Sequence, residues 1–270
     1  MKNILYILSL FLFLSCEDKI DIDLDTAAPK LVVDASILWE KGTSGTNQKI
    51  KLTTTTNFYN ATVPNVSGAI ITVKNSANTT FNFIETPNTG EYICTNFAPV
   101  IGENYTLTIT YQNQTYSATE TLMATPPITT IEQTTVPGFT GNVIQVKYFY
   151  QDNGAQDNYY LTSFKHDSNV AKDYTAIKDE FFQGNEMFGF YSNDKVKQGD
   201  LLEMTLQGID LHYFEYMKKI LSMSGGQGGS PFATPAATVK GNIVNQTNTS
   251  NFPLGYFHLS EIDSKNYIVQ

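Results

Sequence analysis

The chain contains no arginine. All 17 of its basic residues are lysine, set against 26 acids for a net charge of −9. Nucleic-acid binding relies on a basic stripe and bidentate guanidinium contacts, so this composition argues against it. Arginine clamps for phosphate or carboxylate substrates are excluded for the same reason. Cysteine is almost as scarce, with Cys16 and Cys94 alone. There is one tryptophan, Trp39, and there are three histidines, His166, His212 and His258, far apart in sequence. No H-E-x-x-H spacing, Gly-x-Ser-x-Gly elbow or Gly-Lys-Ser/Thr phosphate loop is present. Residues 225–229, Gly-Gly-Gln-Gly-Gly, read as a flexible loop, because consecutive glycines carry high backbone entropy. Carboxylates are plentiful, but nothing marks a glycosidase pair among them. The expectation is a protein without catalytic residues, metal or cofactor.

One long apolar run is present, at the very start. Lys2 precedes an almost unbroken apolar stretch over residues 4–14, then Ser15, Cys16, Glu17 and Asp18. A basic start and a short apolar core form a secretory leader, too short for a permanent membrane helix. A cysteine at its small-residue end reads as a lipoprotein cleavage site, with residues 1–15 removed and Cys16 acylated. Phe13 and Leu14 depart from the commonest form of that site. Several acyl chains, at about 0.8 kcal/mol per buried methylene, anchor stably where one is marginal. With Cys16 acylated, Cys94 has no partner for an internal disulfide. It lies in an apparent strand, without a nearby histidine, and reads as a small buried hydrophobe.

Residues 16–29 form an acidic tether. Five carboxylates lie between Glu17 and Asp25, and mutual repulsion keeps such a chain extended. Asp21, Asp23 and Asp25 lack the glycine turn and closing glutamate of a calcium loop. Glu17 and Asp18, just behind the lipid cysteine, resemble the surface-export signal of Bacteroidota lipoproteins. Asp25-Thr26-Ala27 resembles the O-glycosylation acceptor of the same group, at Thr26. These resemblances imply an outer-membrane lipoprotein facing the cell exterior.

Beyond the tether the pattern is mainly β. Apolar alternation with period two marks strands at 31–38, 49–53, 68–73, 80–84, 92–94, 105–111 and 115–118, with a hairpin at 112–114. Seven short strands over about 95 residues predict an immunoglobulin-like or transthyretin-like β-sandwich over 30–124. Thr125-Pro126-Pro127 sets a boundary, since proline donates no ladder hydrogen bond. A second β-rich domain, 128–270, is expected to begin with strands at 143–150 and 158–164. The link 152–158 reads as their hairpin turn, with a calcium loop as the lesser alternative because EF-hand spacing is missing. Residues 172–190 read as irregular, and strand returns at 201–207. One helix is predicted near 211–223, capped by Asp210, with Leu211, Phe214, Met217 and Leu221 as its apolar stripe and Gly225 as its end. Phe181, Phe182, Phe188 and Phe190 form the candidate partner-facing patch, because aromatic clusters at a surface mark interaction sites.

The order of short motifs is itself informative. Leu31-Val32-Val33-Asp34-Ala35, Gly90-Glu91-Tyr92 and Gly102-Glu103-Asn104-Tyr105 are followed by Leu202-Glu203-Met204-Thr205-Leu206 and Tyr213-Phe214-Glu215-Tyr216-Met217. Ser230-Pro231-Phe232-Ala233-Thr234-Pro235, Val239-Lys240-Gly241-Asn242-Ile243 and Leu254-Gly255-Tyr256-Phe257 complete the series. This order resembles an uncharacterised Bacteroidota outer-membrane lipoprotein family. The resemblance implies a link to TonB-dependent receptors and supplies no catalytic residue. The expectation is a non-enzymatic accessory subunit of such a receptor. The alternative is a free-standing adhesin or glycan-binding module, for which Trp39, close to the tether, is the one tryptophan on offer.

Overall fold

The computed structural model describes residues 28–57, 60, 62–138, 141–224 and 238–270. The leader, Cys16, Glu17, Asp18, Thr26, the glycine-rich loop and the Pro231–Pro235 motif lie outside the described residues.

The first seven strands follow the alternation in the sequence: β1 (Leu31–Glu40), β2 (Gln48–Thr54), β3 (Ile70–Asn75), β4 (Thr80–Thr86), β5 (Glu91–Cys94), β6 (Asn104–Tyr111) and β7 (Gln114–Met123). Leu31, Val33, Ala35 and Ile37 point inward from β1, while Asp34 and Leu38 on its other face are exposed. β6 and β7 pair from Tyr111↔Gln114 onward. Their two-residue link, Gln112-Asn113, has positive φ at both positions (48° and 58°), the primed turn whose twist matches a tight hairpin. The buried tip of Tyr92 is satisfied: its Oη donates to Val66 O at 3.0 Å and accepts from Ala69 N at 3.0 Å.

This unit does not close by itself. The last strand, β15 (Leu254–Ile268), runs parallel to β1 from Val32↔Leu254 to Glu40↔Ile262 and also touches β7 at Leu259↔Leu122. The strands β15-β1-β2-β5-β4-β3-β6-β7 thereby return on themselves as a closed ring. Phe257 and Leu259 of β15, with Ile243, fill its interior alongside Phe81, Phe97 and Tyr105. Each such fully buried apolar side chain is worth about 1.5–3 kcal/mol. β14 (Val244–Asn245) adds to the edge of β7. The expected self-contained sandwich over 30–124 is thus corrected: a segment from the far end of the chain completes its wall and core.

The remaining strands are β8 (Ile128–Pro137), β9 (Asn142–Gln151), β10 (Tyr159–His166), β11 (Asp173–Lys178), β12 (Glu186–Ser192) and β13 (Leu201–Ile209). The end of β15 pairs with β13, and β10 and β11 follow outward, so one twelve-stranded sheet carries both halves of the chain. β8, β9 and β12 form a separate sheet in the order β12-β9-β8. A second core lies between the two sheets, with Tyr148, Tyr150, Phe164, Met187 and Leu206. On the opposite face of β10 and β13 lies helix α1 (Leu211–Ser224), over Leu161, Ile209 and Tyr256. β10 is covered on both faces and is buried at consecutive positions 160–164.

Three expectations change here. β9 and β10 are not a hairpin, because they belong to different sheets and loop 152–158 crosses between them. Residues 172–190, read as irregular, contain β11 and most of β12; their short length and aromatic richness hid the alternation. The helix is capped as expected, with Tyr213 N donating to Asp210 Oδ1 at 2.9 Å. Its buried side is instead centred on Tyr213 and Phe214, and Leu211 is exposed.

Candidate functional site

The three-stranded sheet shows one face to the second core and the other to solvent. Period two turns Val146, Tyr148 and Tyr150 of β9 inward and leaves Lys147 and Phe149 outside. On β12, Met187 and Tyr191 point inward while Phe188 and Phe190 point out, 40% and 56% exposed. Gly189 between them lies against the Tyr148 ring, where a Cβ would sit 2.6 Å from Cζ. Register places Phe188 beside Phe149 and Phe190 beside Lys147, with Thr130 and Glu132 of β8 next in each row. The Phe149 and Phe188 centroids are 5.9 Å apart at 51°, and those of Phe188 and Phe190 are 6.4 Å apart at 49°. Lys147 Nζ stands 4.8 Å above the Phe188 ring. The outer face therefore presents three tilted phenyl rings beside the Lys147 cation and the Glu132 and Glu186 carboxylates.

Phe188 and Phe190 are brought together as a patch. Phe181 and Phe182 are exposed too, at 85% and 47%, but they sit on the turn 179–185 before β12. No ring contact joins them to Phe188 or Phe190 among the described residues. Phe149 was missed by sequence reasoning. The signal was available: in Tyr148-Phe149-Tyr150, strict alternation sends the middle ring to the opposite face from its neighbours.

Two clefts flank the start of α1, and Leu211 borders both. One, of about 380 Å³, lies between Thr125, loop 153–158, Tyr159 and Asp210. The other, of about 660 Å³, is lined by Glu120, Tyr216, Lys219, Lys240, Asn242 and Tyr256. Glu120 and Asp210 are within hydrogen-bonding reach of each other. Burial pushes Glu120 up to about 7; the Asn242 amide opposes that rise and Asp210 reinforces it.

Their other contacts are structural. Asn242 Nδ2 donates to Glu120 Oε1 at 2.7 Å and to Phe257 O at 2.8 Å, and its Oδ1 accepts from Phe257 N at 2.9 Å. The amide thus mimics a short strand against β15. Gly241 lies against Gly255, where a Cβ would meet the carbonyl oxygen at 1.6 Å. The Val239–Ile243 and Leu254–Phe257 motifs, distant in sequence, are one packing device.

The histidines do not converge, and among the described residues no three His, Cys, Asp or Glu side chains are placed to hold a metal. His166 Nε2 is 2.9 Å from Asp200 Oδ2, and His212 is exposed. His258 is buried, its ring stacked 3.8 Å from that of Tyr213, and burial holds it down at about 3. Cys94 is buried as expected, its thiol donating to Asn96 Oδ1 at 3.2 Å and raised by burial.

Among curated proteins, none matches this chain. Similar solved structures include a two-domain fibronectin type III segment of chicken tenascin, at 10% identity over 67% of this chain and 90% of that one, TM-score 0.22. A cytokine receptor complex aligns at 8% identity over 67% and 84%, TM-score 0.23. The first three fibronectin domains of chicken CNTN1 align at 11% identity over 68% and 63%, TM-score 0.25. The family model described as a domain of unknown function, DUF4249, matches residues 17–266, so the chain, with its shared β15 and the Asn242 clasp, belongs to that family.

Proposed function

We propose that this protein is a non-enzymatic surface lipoprotein that serves as an accessory subunit of a TonB-dependent nutrient receptor. It is held to the outer membrane by acyl chains on Cys16 and faces the cell exterior through the export signal at Glu17 and Asp18, with glycosylation at Thr26. The anchor reading rests on the basic start, the apolar run and the cysteine that follows it. The observation that carries the docking reading is the outer face of β12 and β9. Phe149, Phe188 and Phe190 are grouped there on a rigid sheet, ringed by Lys147, Glu132 and Thr130. An apolar centre with a polar rim is the anatomy of a protein interface. The exposed Phe181 and Phe182 extend the same function from the neighbouring turn.

A glycan-binding role would use rings that lie flat in one plane. The rings here are inclined by 49–51°, which favours a partner whose side chains insert between them. The test is to crosslink tagged protein in intact cells, solubilise the outer membrane gently and identify what is recovered. A TonB-dependent receptor in near-equal amount is expected. Recovery of this chain alone, or its release as soluble protein with Cys16 intact, contradicts the proposal.

A further inference from the structure

Two aspartates are buried in the loops beside the second core. Asp152, just after β9, is 4% exposed, and Asp179, just after β11, is 1% exposed. Tyr160 Oη donates to Asp152 Oδ1 at 2.6 Å, and Gly184 N donates to Asp152 Oδ2 at 2.7 Å. Asn158 N donates to Asp179 Oδ2 at 2.8 Å. No lysine pairs with either carboxylate there, and the adjacent Lys178 is engaged with Glu180 at 3.2 Å. A buried carboxylate without a counter-charge is costly, on the order of several kcal/mol.

A third oxygen beside this core is unpartnered. Tyr150 is fully buried, and its Oη has no hydrogen-bond partner among the described residues. Its ring lies 4.9 Å from that of Tyr160, whose hydroxyl holds Asp152; burial raises its phenol, and the negative charges of Asp152 and then Asp179 raise it further. The same two carboxylates act on the Tyr160 phenol. Loop 152–158 and turn 179–185 meet here so closely that a Cβ on Gly154 would lie 2.8 Å from the Gly184 Cα.

We propose that Asp152, Asp179 and Tyr150 Oη hold a calcium ion that clasps loop 152–158 to turn 179–185. The donors are all oxygen, which selects a hard cation over zinc or copper. Two carboxylates match a divalent charge, and each oxygen that already accepts one hydrogen bond retains a second lone pair. Calcium tolerates an irregular shell completed by water, whereas magnesium demands near-octahedral geometry. EF-hand spacing is absent because the second carboxylate comes from a distant turn. That turn carries Phe181 and Phe182, so the ion would also fix their position.

The experiment uses the full mature chain, stripped with chelator and titrated with terbium under tyrosine excitation, then competed with calcium. Tyrosine-sensitised emission is expected, displaced by calcium at about 10⁻⁴–10⁻³ M, the range of extracellular sites. Thermal unfolding should shift upward by a few degrees at about 5 mM calcium. Asp179→Asn, which keeps the shape, should abolish both signals; Tyr150→Phe, which keeps the buried ring, should weaken calcium at least about fivefold. Wild-type protein with no displaceable emission and no thermal shift overturns the proposal. So does a calcium response that survives unchanged in Asp179→Asn or Tyr150→Phe, since binding would then lie elsewhere, for example on the acidic segment 17–25.

Discussion

At the scale of single residues, the carboxyl of Glu120 and the imidazole of His258 set opposing pH dependences. Folded His258 takes up a proton only near pH 3, whereas an unfolded histidine does so near 6.5. Between those values the unfolded chain binds the extra proton, so this group makes stability fall as pH falls. Glu120 does the reverse. Its folded value of about 7 lies above the ordinary 4.5, so the native state holds the extra proton and stability falls as pH rises through that window. The two contributions largely offset between pH 4.5 and 6.5. Glu120→Gln keeps an acceptor for Asn242 and a donor for Asp210 while removing the titration. We expect its stability to rise steadily from pH 4.5 to 7 and to exceed wild type at pH 8 by about 1 kcal/mol, after discounting for the solvent in the cleft. Urea denaturation at pH 4.5, 6 and 8 measures this; identical profiles for the two proteins would refute the assignment.

At the scale of elements, β15 is the strand on which both halves depend. Gly255 has φ +94°, and a Cβ there would sit 1.9 Å from Val33 O on the paired β1. Gly255→Ala should cost about 3 kcal/mol or more, because the backbones themselves must separate. Gly42, with φ +79° and nothing within 4 Å of its Cβ position, supplies the comparison: Gly42→Ala should cost about 1 kcal/mol. Thermal melts of the two variants decide it, and equal losses would mean that the β1–β15 contact is not the constraint. The strands themselves were legible in the sequence wherever one face meets solvent, as in β1, β6 and β9, because burial then alternates. They were not legible in β11 and β12. Both are short, and β12 places aromatics on both faces, so that Phe188 and Phe190 read no differently from Met187 and Tyr191. The Asp210 cap was legible because it is local. The burial of Tyr213 was not, because it depends on His258 and Tyr256 from a distant strand.

At the scale of the whole molecule, the division into two consecutive domains was the reading that long-range pairing overturned. Nothing local in residues 254–262 says that they run parallel to β1. The link at Thr125–Ile128 looks like a spacer in sequence, yet Ile128 N donates to the buried Asp263 at 2.6 Å and Gly208 N donates to Thr125 Oγ1 at 2.7 Å. A fragment ending at residue 124 lacks the strand that closes the ring and should give the amide spectrum of an unfolded chain by NMR. A dispersed, cooperative fold would show that β1–β7 suffice. The aromatic patch was half legible: its phenylalanines were visible, but their sorting into a sheet-face cluster and a separate turn required the register of β9 and β12. The most direct test of the docking account places a photo-crosslinking phenylalanine analogue at position 190 in intact cells, with the fully exposed Val170 position as control. The account predicts one adduct from position 190, containing a TonB-dependent receptor, and none from position 170. No adduct at 190, or the same adducts from both positions, would contradict it.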